Sequence, residues 1–435
     1  MTTHKRDGSF DFYSNIIEIE RYDSRYKDIL EGVLRSSPES LTESWHTDAL
    51  SLYFHEVTHF LDLTTTGWGL EYILRKHLVL KKIGMNKAVE KSLKVFMLNT
   101  SEIQMHSDLI KCYEDRNFLD CSLNHDLKYS EKYGVLIEIY FFYGQSHIAT
   151  VPLSMLSVLE ANAYASEILC KLRFLEGHAD ENVEVSLRLL ESEVNSYLNN
   201  KAFSEYSLLL ILCKIHFEYL TLKEMLIFFQ LLVFRVLNMQ IMNLSFMSAF
   251  LKRTFKNNHY GRAICKDMQR GMSRHIVVFK LILLVHQFIN ESSDKLSLIA
   301  LMKEKPDEVI NLMFKYYEIN IISELDFGNN SQFYLILENI LNEDDMFDKN
   351  IIAESSEFNH KVIKEKGWSK VDLSDLKILD SLLSDGSVIR FPDRVSLDVN
   401  KYFDNNIDKF LIIEHLFKNT EVSKFHIHPD HVVWV

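Results

Sequence analysis

The chain has 435 residues, 47% of them hydrophobic and 25% charged, a balance that excludes a disordered polypeptide and provides for a sizeable buried core. Its formal net charge of −13 opposes binding to a phosphate backbone, and the densest basic group, Lys252-Arg253 with Lys256, reads as a solvated helix end, so no nucleic-acid partner is expected. The five cysteines, Cys112, Cys121, Cys170, Cys213 and Cys265, are odd in number and include no Cys-x-x-Cys pair, which argues against a disulfide framework or a cysteine-based zinc knuckle.

Only 13 Gly and 5 Pro punctuate this length, which favours long helices with short connections. The polar segment Met1 to Phe10 lacks the apolar core of a secretion signal. The longest apolar stretches, residues 208–237 and 275–289, are interrupted by Lys214, His216, Glu218, Lys223 and Glu224, and by Lys280. A charge at a bilayer centre costs about 2.5–3.5 kcal/mol, so these stretches are expected as buried helices, with no membrane span and a cytoplasmic location.

In chain order, residues 16–19 alternate weakly and are expected as a strand, followed by a helix over residues 21–32 and a loop around Pro38. Thr47 and Asp48 offer N-cap oxygens ahead of an apolar run through Leu50, Tyr53, Val57, Phe60 and Leu61. This predicts a helix that carries His55-Glu56-Val57-Thr58-His59 and ends near residues 64–67. Helices are expected over residues 70–98 and 101–113. The pattern then changes: residues 135–143 are rich in β-branched and aromatic side chains, Gly144-Gln145 is turn-like, and residues 147–151 resume an extended pattern, which predicts a β-hairpin. Pro152-Leu153-Ser154 is expected to lead into a helix over residues 155–174, where proline's missing N–H is tolerated. Residues 184–289 read as nearly continuous helix with a break at Asn257-Asn258-His259-Tyr260-Gly261, and the polar segment 290–294 is a candidate boundary. The remainder is more acidic and mixed, with loops at Gly328-Asn329-Asn330 and Asn342-Glu343-Asp344-Asp345. The expected class is α+β, predominantly α-helical.

Residues four apart share a helix face, so His55 and His59 can aim imidazole nitrogens at one Zn²⁺, with Glu56 beside it. Zinc lowers the pKa of a bound water toward about 7, and a carboxylate within hydrogen-bond reach can take its proton as that water attacks a carbonyl; Glu56 is therefore the expected general base. The blander alternative is a helix whose two histidines make ordinary hydrogen bonds. A catalytic zinc also needs a third protein ligand and an open fourth position. The metzincin continuation is absent, because Asp62 stands three residues after His59 where that pattern has Gly, and Thr65 six residues after where it has His. The gluzincin arrangement, which the His55 to His59 run resembles, instead takes a glutamate from a later helix as third ligand. Glu160, in Leu159-Glu160-Ala161-Asn162-Ala163-Tyr164-Ala165, is preferred, because small alanines let that helix pack closely against the first; Asp62, Glu71 and His147 are the alternatives.

Taken together, the His55 to His59 run and the Glu160-Ala161-Asn162-Ala163-Tyr164-Ala165 segment resemble gluzincin-type metallopeptidases. The second segment is similar to the Glu-Ala-Asn-x-Phe-Ala element of the ImmA/IrrE-like bacterial peptidases. The resemblance covers two short segments within the first 175 residues. It implies a zincin-like catalytic region and a zinc endopeptidase with His55, His59 and Glu160 as ligands and Glu56 as base. The gap from His59 to Glu160 is longer than is usual in the ImmA-like group, and Tyr164 stands where some gluzincins place a supporting Asp, four residues after the third ligand.

Peptide hydrolysis also needs a group to stabilise the oxyanion, and Tyr164, His147 and Tyr143 are the candidates, each weighed against a role in packing. An edge of the hairpin beside the zinc could hold an extended peptide as an added strand. Thr64-Thr65-Thr66-Gly67-Trp68-Gly69 suits either a tight turn lining the cleft or a plain helix stop. In the tail, His426 and His428 would face the same way in an extended chain and could form a second metal site. The expected organisation is a zincin-like region over residues 1–180 with a small hairpin or sheet, a helical region over 181–290 and a C-terminal accessory region over 291–435. The expected activity is Zn²⁺-dependent cleavage of a specific protein or peptide, in a regulatory or phage-defence setting by analogy. The competing expectation is a helical protein-interaction protein with a structural or inactive metal site.

Overall fold

A computed structural model describes residues 7–82, 98–178, 183–255, 258–322, 331–344, 346, 348–402 and 404–407. The described residues form two compact units, one drawn from residues up to Lys81, from Asn162–Leu190 and from Phe333 onward, the other from Lys82–Ala161 and Glu191–Gln332. Helices dominate both, with small sheets beside them, so the α+β, predominantly helical class holds.

The first unit is organised around the motif helix, Ser44–Thr64, which starts three residues before the expected Thr47 cap and runs for 21 residues. Its apolar face buries Leu50, Tyr53, Val57, Phe60 and Leu61. Burying side chains of this size stabilises by about 1.5–3 kcal/mol each, which holds this helix at the centre of the unit. Thr64, Thr65 and Thr66 end it by donating their hydroxyls to the carbonyls of Phe60, Leu61 and Asp62, at 2.7, 2.6 and 2.6 Å. The next helix, Gly67–Lys82, follows at once, and the Gly69 N–H is bonded to Thr66 Oγ1 at 3.0 Å. A Cβ on Gly69 would lie 2.1 Å from the Leu63 carbonyl oxygen, so only glycine allows the corner. The Thr-Gly segment is thus a buried helix-to-helix corner.

Against the motif helix lies a four-stranded sheet ordered Ser9–Phe10, Ile17–Ile19, Ser381–Leu383, Val388–Ile389. Ile17–Ile19 is the expected early strand, and it pairs in parallel with Ser381–Leu383, so two segments far apart in the sequence enter one sheet. The helix expected over residues 21–32 is shorter, Lys27–Val33, because Asp23 accepts the Arg25 N–H and opens a 3₁₀ turn over Ser24–Tyr26. Helix Lys349–Lys366 packs on the motif helix, where His360 Nδ1 lies 2.8 Å from the Thr65 carbonyl.

The second unit contains the predicted hairpin, Gly134–Tyr143 with Ser146–Leu153, turning at Gly144 with φ +60°. The hairpin is the middle of a four-stranded antiparallel sheet ordered Lys111–Cys112, Ser146–Leu153, Gly134–Tyr143, Ser122–Ser130. Pro152 belongs to a strand, opposite Glu138, and does not open the helix that follows. The predicted run of helices is present from Ser204–His216 to Arg274–Glu291; Asn258 caps His259–Met268, and Lys295–Glu304 and Pro306–Tyr316 follow. No single helix among the described residues is long and apolar enough to cross a membrane; Leu222–Leu237 and Ile241–Thr254 reach that composition only as a pair bent by 108°.

Candidate metal centre

The site rests on the motif helix and on a second helix, Met155–Gly177, termed the glutamate helix. Its start is fixed by hydrogen bonds: Ser154 Oγ accepts the Ser157 N–H at 3.2 Å, and the Glu102 carboxylate accepts the N–H groups of Met155 and Leu156 at 3.3 and 2.6 Å. Burial pushes Glu102 up to about 7 despite these bonds, which favour its charged form. Ala161, Ala163 and Ala165 are fully buried, as close helix packing requires.

From Asn162 onward the glutamate helix faces the motif helix through three polar rungs. Asn162 Nδ2 donates to Asp62 Oδ1 and Oδ2 at 2.9 and 3.1 Å. Thr58 Oγ1 lies 2.7 Å from Ser166 Oγ. His55 Nδ1 lies 3.3 Å from Glu167 Oε2. Residue numbers rise along one helix as they fall along the other, so the two run antiparallel and the rungs fix their register.

Glu160 stands two residues before Asn162 on the same helix. One ligating atom each from His55, His59 and Glu160 lie within 4.8 Å of one another. The rings of His55 and His59 are 5.3 Å apart with an interplanar angle of 77°. Two imidazoles and a carboxylate are the donor types of a catalytic zinc, with three protein ligands leaving a coordination position open. His59 is buried against Phe10 and Phe12, ring centroids 6.3 and 5.7 Å away. Glu56 is also buried, and a Cβ on Gly8 would lie 2.9 Å from its Oε1, so glycine lets the N-terminal backbone pass close to this carboxylate.

Glu167 was not among the residues singled out in the sequence. Burial raises its carboxyl, but hydrogen bonds and charge from His55 and Lys171 outweigh that effect and hold it below the usual range. The signal was present: Glu167 follows Glu160 by seven residues, two helical turns, and so returns to the same face.

The other expected residues are placed as follows. Tyr164 is buried one turn beyond Glu160. Asp62 is fully buried against Asn162, and burial pushes its carboxyl up to about 8 while the Asn162 amide pulls it down. Glu71 is ion-paired with Arg75 one turn along its own helix. His147 Nε2 lies 3.0 Å from Thr150 Oγ1 and 3.1 Å from the Ala149 carbonyl, and its ring packs among Tyr113, Tyr140 and Phe142. Tyr143 is exposed, with the Arg116 guanidinium 5.1 Å over its ring. Of the four third-ligand candidates, Glu160 is the one brought to the two histidines among the described residues. His426 and His428 lie outside the described residues.

No family model, curated protein or solved structure matches this chain.

Proposed function

We propose that the chain is a zinc-dependent endopeptidase of gluzincin type that cleaves a protein or peptide substrate, in the cytoplasm. The observation that carries this reading is the convergence of His55, His59 and Glu160 within 4.8 Å, with Glu56 next to the first histidine on the same helix. A zinc ion held by the three side chains would supply Lewis-acid polarisation of the scissile carbonyl and lower the pKa of the attacking water to about 7. Glu56 takes the proton of that water on its carboxylate and delivers it to the departing amine nitrogen, so one residue serves both proton transfers. His59, packed by Phe10 and Phe12, and His55, held by Glu167, keep their ring orientations. Tyr164, one turn beyond Glu160 on the same helix, is the proposed donor to the oxyanion.

The deciding experiment has two arms. Zinc per chain is measured on wild type and Glu160→Ala; near-stoichiometric zinc in the former, lost in a folded Glu160→Ala, is expected. New protein termini are then compared between cells carrying wild type and Glu56→Gln, where Glu56→Gln should keep its zinc and lose about 10²–10⁴-fold in cleavage. Absence of zinc from folded, zinc-resupplied wild type would overturn the metal reading, and zinc without Glu56-dependent termini would overturn the peptidase reading.

One observation favours a second reading, a helical interaction protein with a structural metal site: Glu56 and His59 are 4% and 3% exposed. Zinc retention with no Glu56-dependent cleavage is its signature.

A further inference from the structure

We infer that Glu167 is a positioning residue that orients His55 toward the metal, an inference that rests on the metal-centre reading above. An imidazole offers a lone pair on one nitrogen only when the proton sits on the other, and the partner of the second nitrogen selects that tautomer. Glu167 Oε2 lies 3.3 Å from His55 Nδ1, and a carboxylate there accepts an Nδ1–H, leaving Nε2 to ligate. The other carboxylate oxygen, Oε1, lies 3.4 Å from Lys171 Nζ, one turn further along the same helix. The three side chains are between 16% and 23% exposed, so their attraction is screened less than at an open surface.

The arrangement is economical in sequence terms. Glu160 and Glu167 share one face of the glutamate helix two turns apart, so one rigid element carries both a ligand and the group that aims a second ligand on the facing helix. Tyr164, on the turn between them, brings no charge to that face. Loss of Glu167 removes the selection: His55 then populates the tautomer with its proton on Nε2, and that fraction must be converted before the metal binds.

The test uses full-length wild type, Glu167→Ala, Glu167→Gln and Glu167→Asp, with Zn²⁺ as the probe. Zinc dissociation constants are read by competition with a chromophoric chelator, and helical content by circular dichroism. Glu167→Ala is expected to bind zinc about 10–100-fold more weakly. Glu167→Gln, which keeps an acceptor oxygen without the charge, should fall between it and wild type, and Glu167→Asp should recover part of the loss. A second readout separates aiming from packing: ¹⁵N-histidine spectra of the zinc-free protein, assigned with His55→Gln, should show the neutral ring of His55 with its proton on Nδ1 in wild type and shifted toward Nε2 in Glu167→Ala. Unchanged zinc affinity and an unchanged tautomer in Glu167→Ala would overturn the inference while leaving the metal centre standing. Failure of wild type itself to bind zinc would overturn both. Should Glu167→Ala not fold, the isosteric Glu167→Gln decides by the same two measurements.

Discussion

Two groups of buried polar side chains meet the motif helix's unit in different ways. At Asp348 closure is complete: Lys76 and Asp348 are both 0% exposed, with Lys76 Nζ 2.9 Å from Asp348 Oδ2. Asp348 Oδ1 accepts from Asn15 Nδ2 and the Tyr402 hydroxyl at 2.5 and 3.1 Å, and Lys76 also donates to the Tyr13 carbonyl at 2.9 Å. At the histidines closure is partial: the His55 side chain is 18% exposed, and ligating atoms of three residues converge on one place. Both groups are held by packed helices. The difference teaches that a buried charge matched by its own counter-charge ties chain segments together, whereas the convergent donors, on the proposed metal-centre reading, are arranged for an ion that arrives from outside.

The comparison breaks first, and hardest, at Lys76. Lys76→Met removes the ammonium partner of the buried Asp348, and removing one member of a buried pair costs about 3–5 kcal/mol. The expected outcome is a lower urea midpoint with zinc per folded chain unchanged. Loss of zinc at unchanged stability would show the two groups to be one. The burial of Tyr402, together with the negative charge of Asp348, pushes its hydroxyl well above its usual range, so this residue stays a donor and adds no pH dependence near neutrality.

Asp62 gives the next effect, and its sign follows from its raised pKa. In the folded chain its carboxyl stays protonated up to about 8; in the unfolded chain an Asp titrates near 3.9. Between those values the folded state binds more protons than the unfolded state, so stability is greatest below the window and is lost as pH rises through it. The slope is at most about 1.4 kcal/mol per pH unit. Glu102, raised to about 7, acts with the same sign in every variant. Urea midpoints measured across this range should therefore fall with pH in wild type and fall less steeply in Asp62→Asn, which keeps a partner for Asn162; identical slopes would remove Asp62 as the cause.

How much of this was legible follows from where each signal lies. The motif helix was readable because its apolar residues recur with a helical period and its two histidines fall four apart. Glu160 was readable because alanines flank it. Glu167 was missed because support for the ligand was sought four residues after Glu160, at Tyr164, and the chain places a carboxylate seven after. Strand Ser122–Ser130 was missed because, as Ser-Leu-Asn-His-Asp-Leu-Lys-Tyr-Ser at a sheet edge, it is mostly exposed and poor in β-branched residues. Ser381–Leu383 has only three residues, and its partner Ile17–Ile19 lies over 350 positions earlier, so no local pattern announces the pairing. The interleaving of segments into two units has the same origin, since contacts between distant segments leave no mark on local composition.

A smaller effect is expected where the N-terminal backbone passes Glu56. Gly8→Ala places a methyl 2.9 Å from Glu56 Oε1, and overpacking of this kind costs about 1–3 kcal/mol when the neighbour must move. Because Glu56 is proposed as the base and not as a ligand, cleavage should fall while zinc affinity holds. Equal losses of both would mean that the N-terminal segment supports the whole metal centre.

The smallest effect tests whether the rungs between the two helices act as a unit. Thr58 Oγ1 lies 2.7 Å from both Ser166 Oγ and the Phe54 carbonyl, and Ser166 Oγ lies 3.3 Å from the Asn162 carbonyl, so each hydroxyl keeps a backbone neighbour on its own helix when the other is removed. Thr58→Val and Ser166→Ala should therefore each cost only about 0.5–1.5 kcal/mol. The informative quantity is their coupling. Residues in direct contact show interaction energies of about 0.5–3 kcal/mol in a double-mutant cycle, and the low end is expected here because the contact joins two neutral groups that each retain a partner. The same cycle read in zinc affinity separates two kinds of seam. A coupling seen in stability alone means the middle rung only clamps the helices; a coupling also seen in zinc affinity means that the distance between His55 and Glu160 is set at this rung, three residues from the first and six from the second.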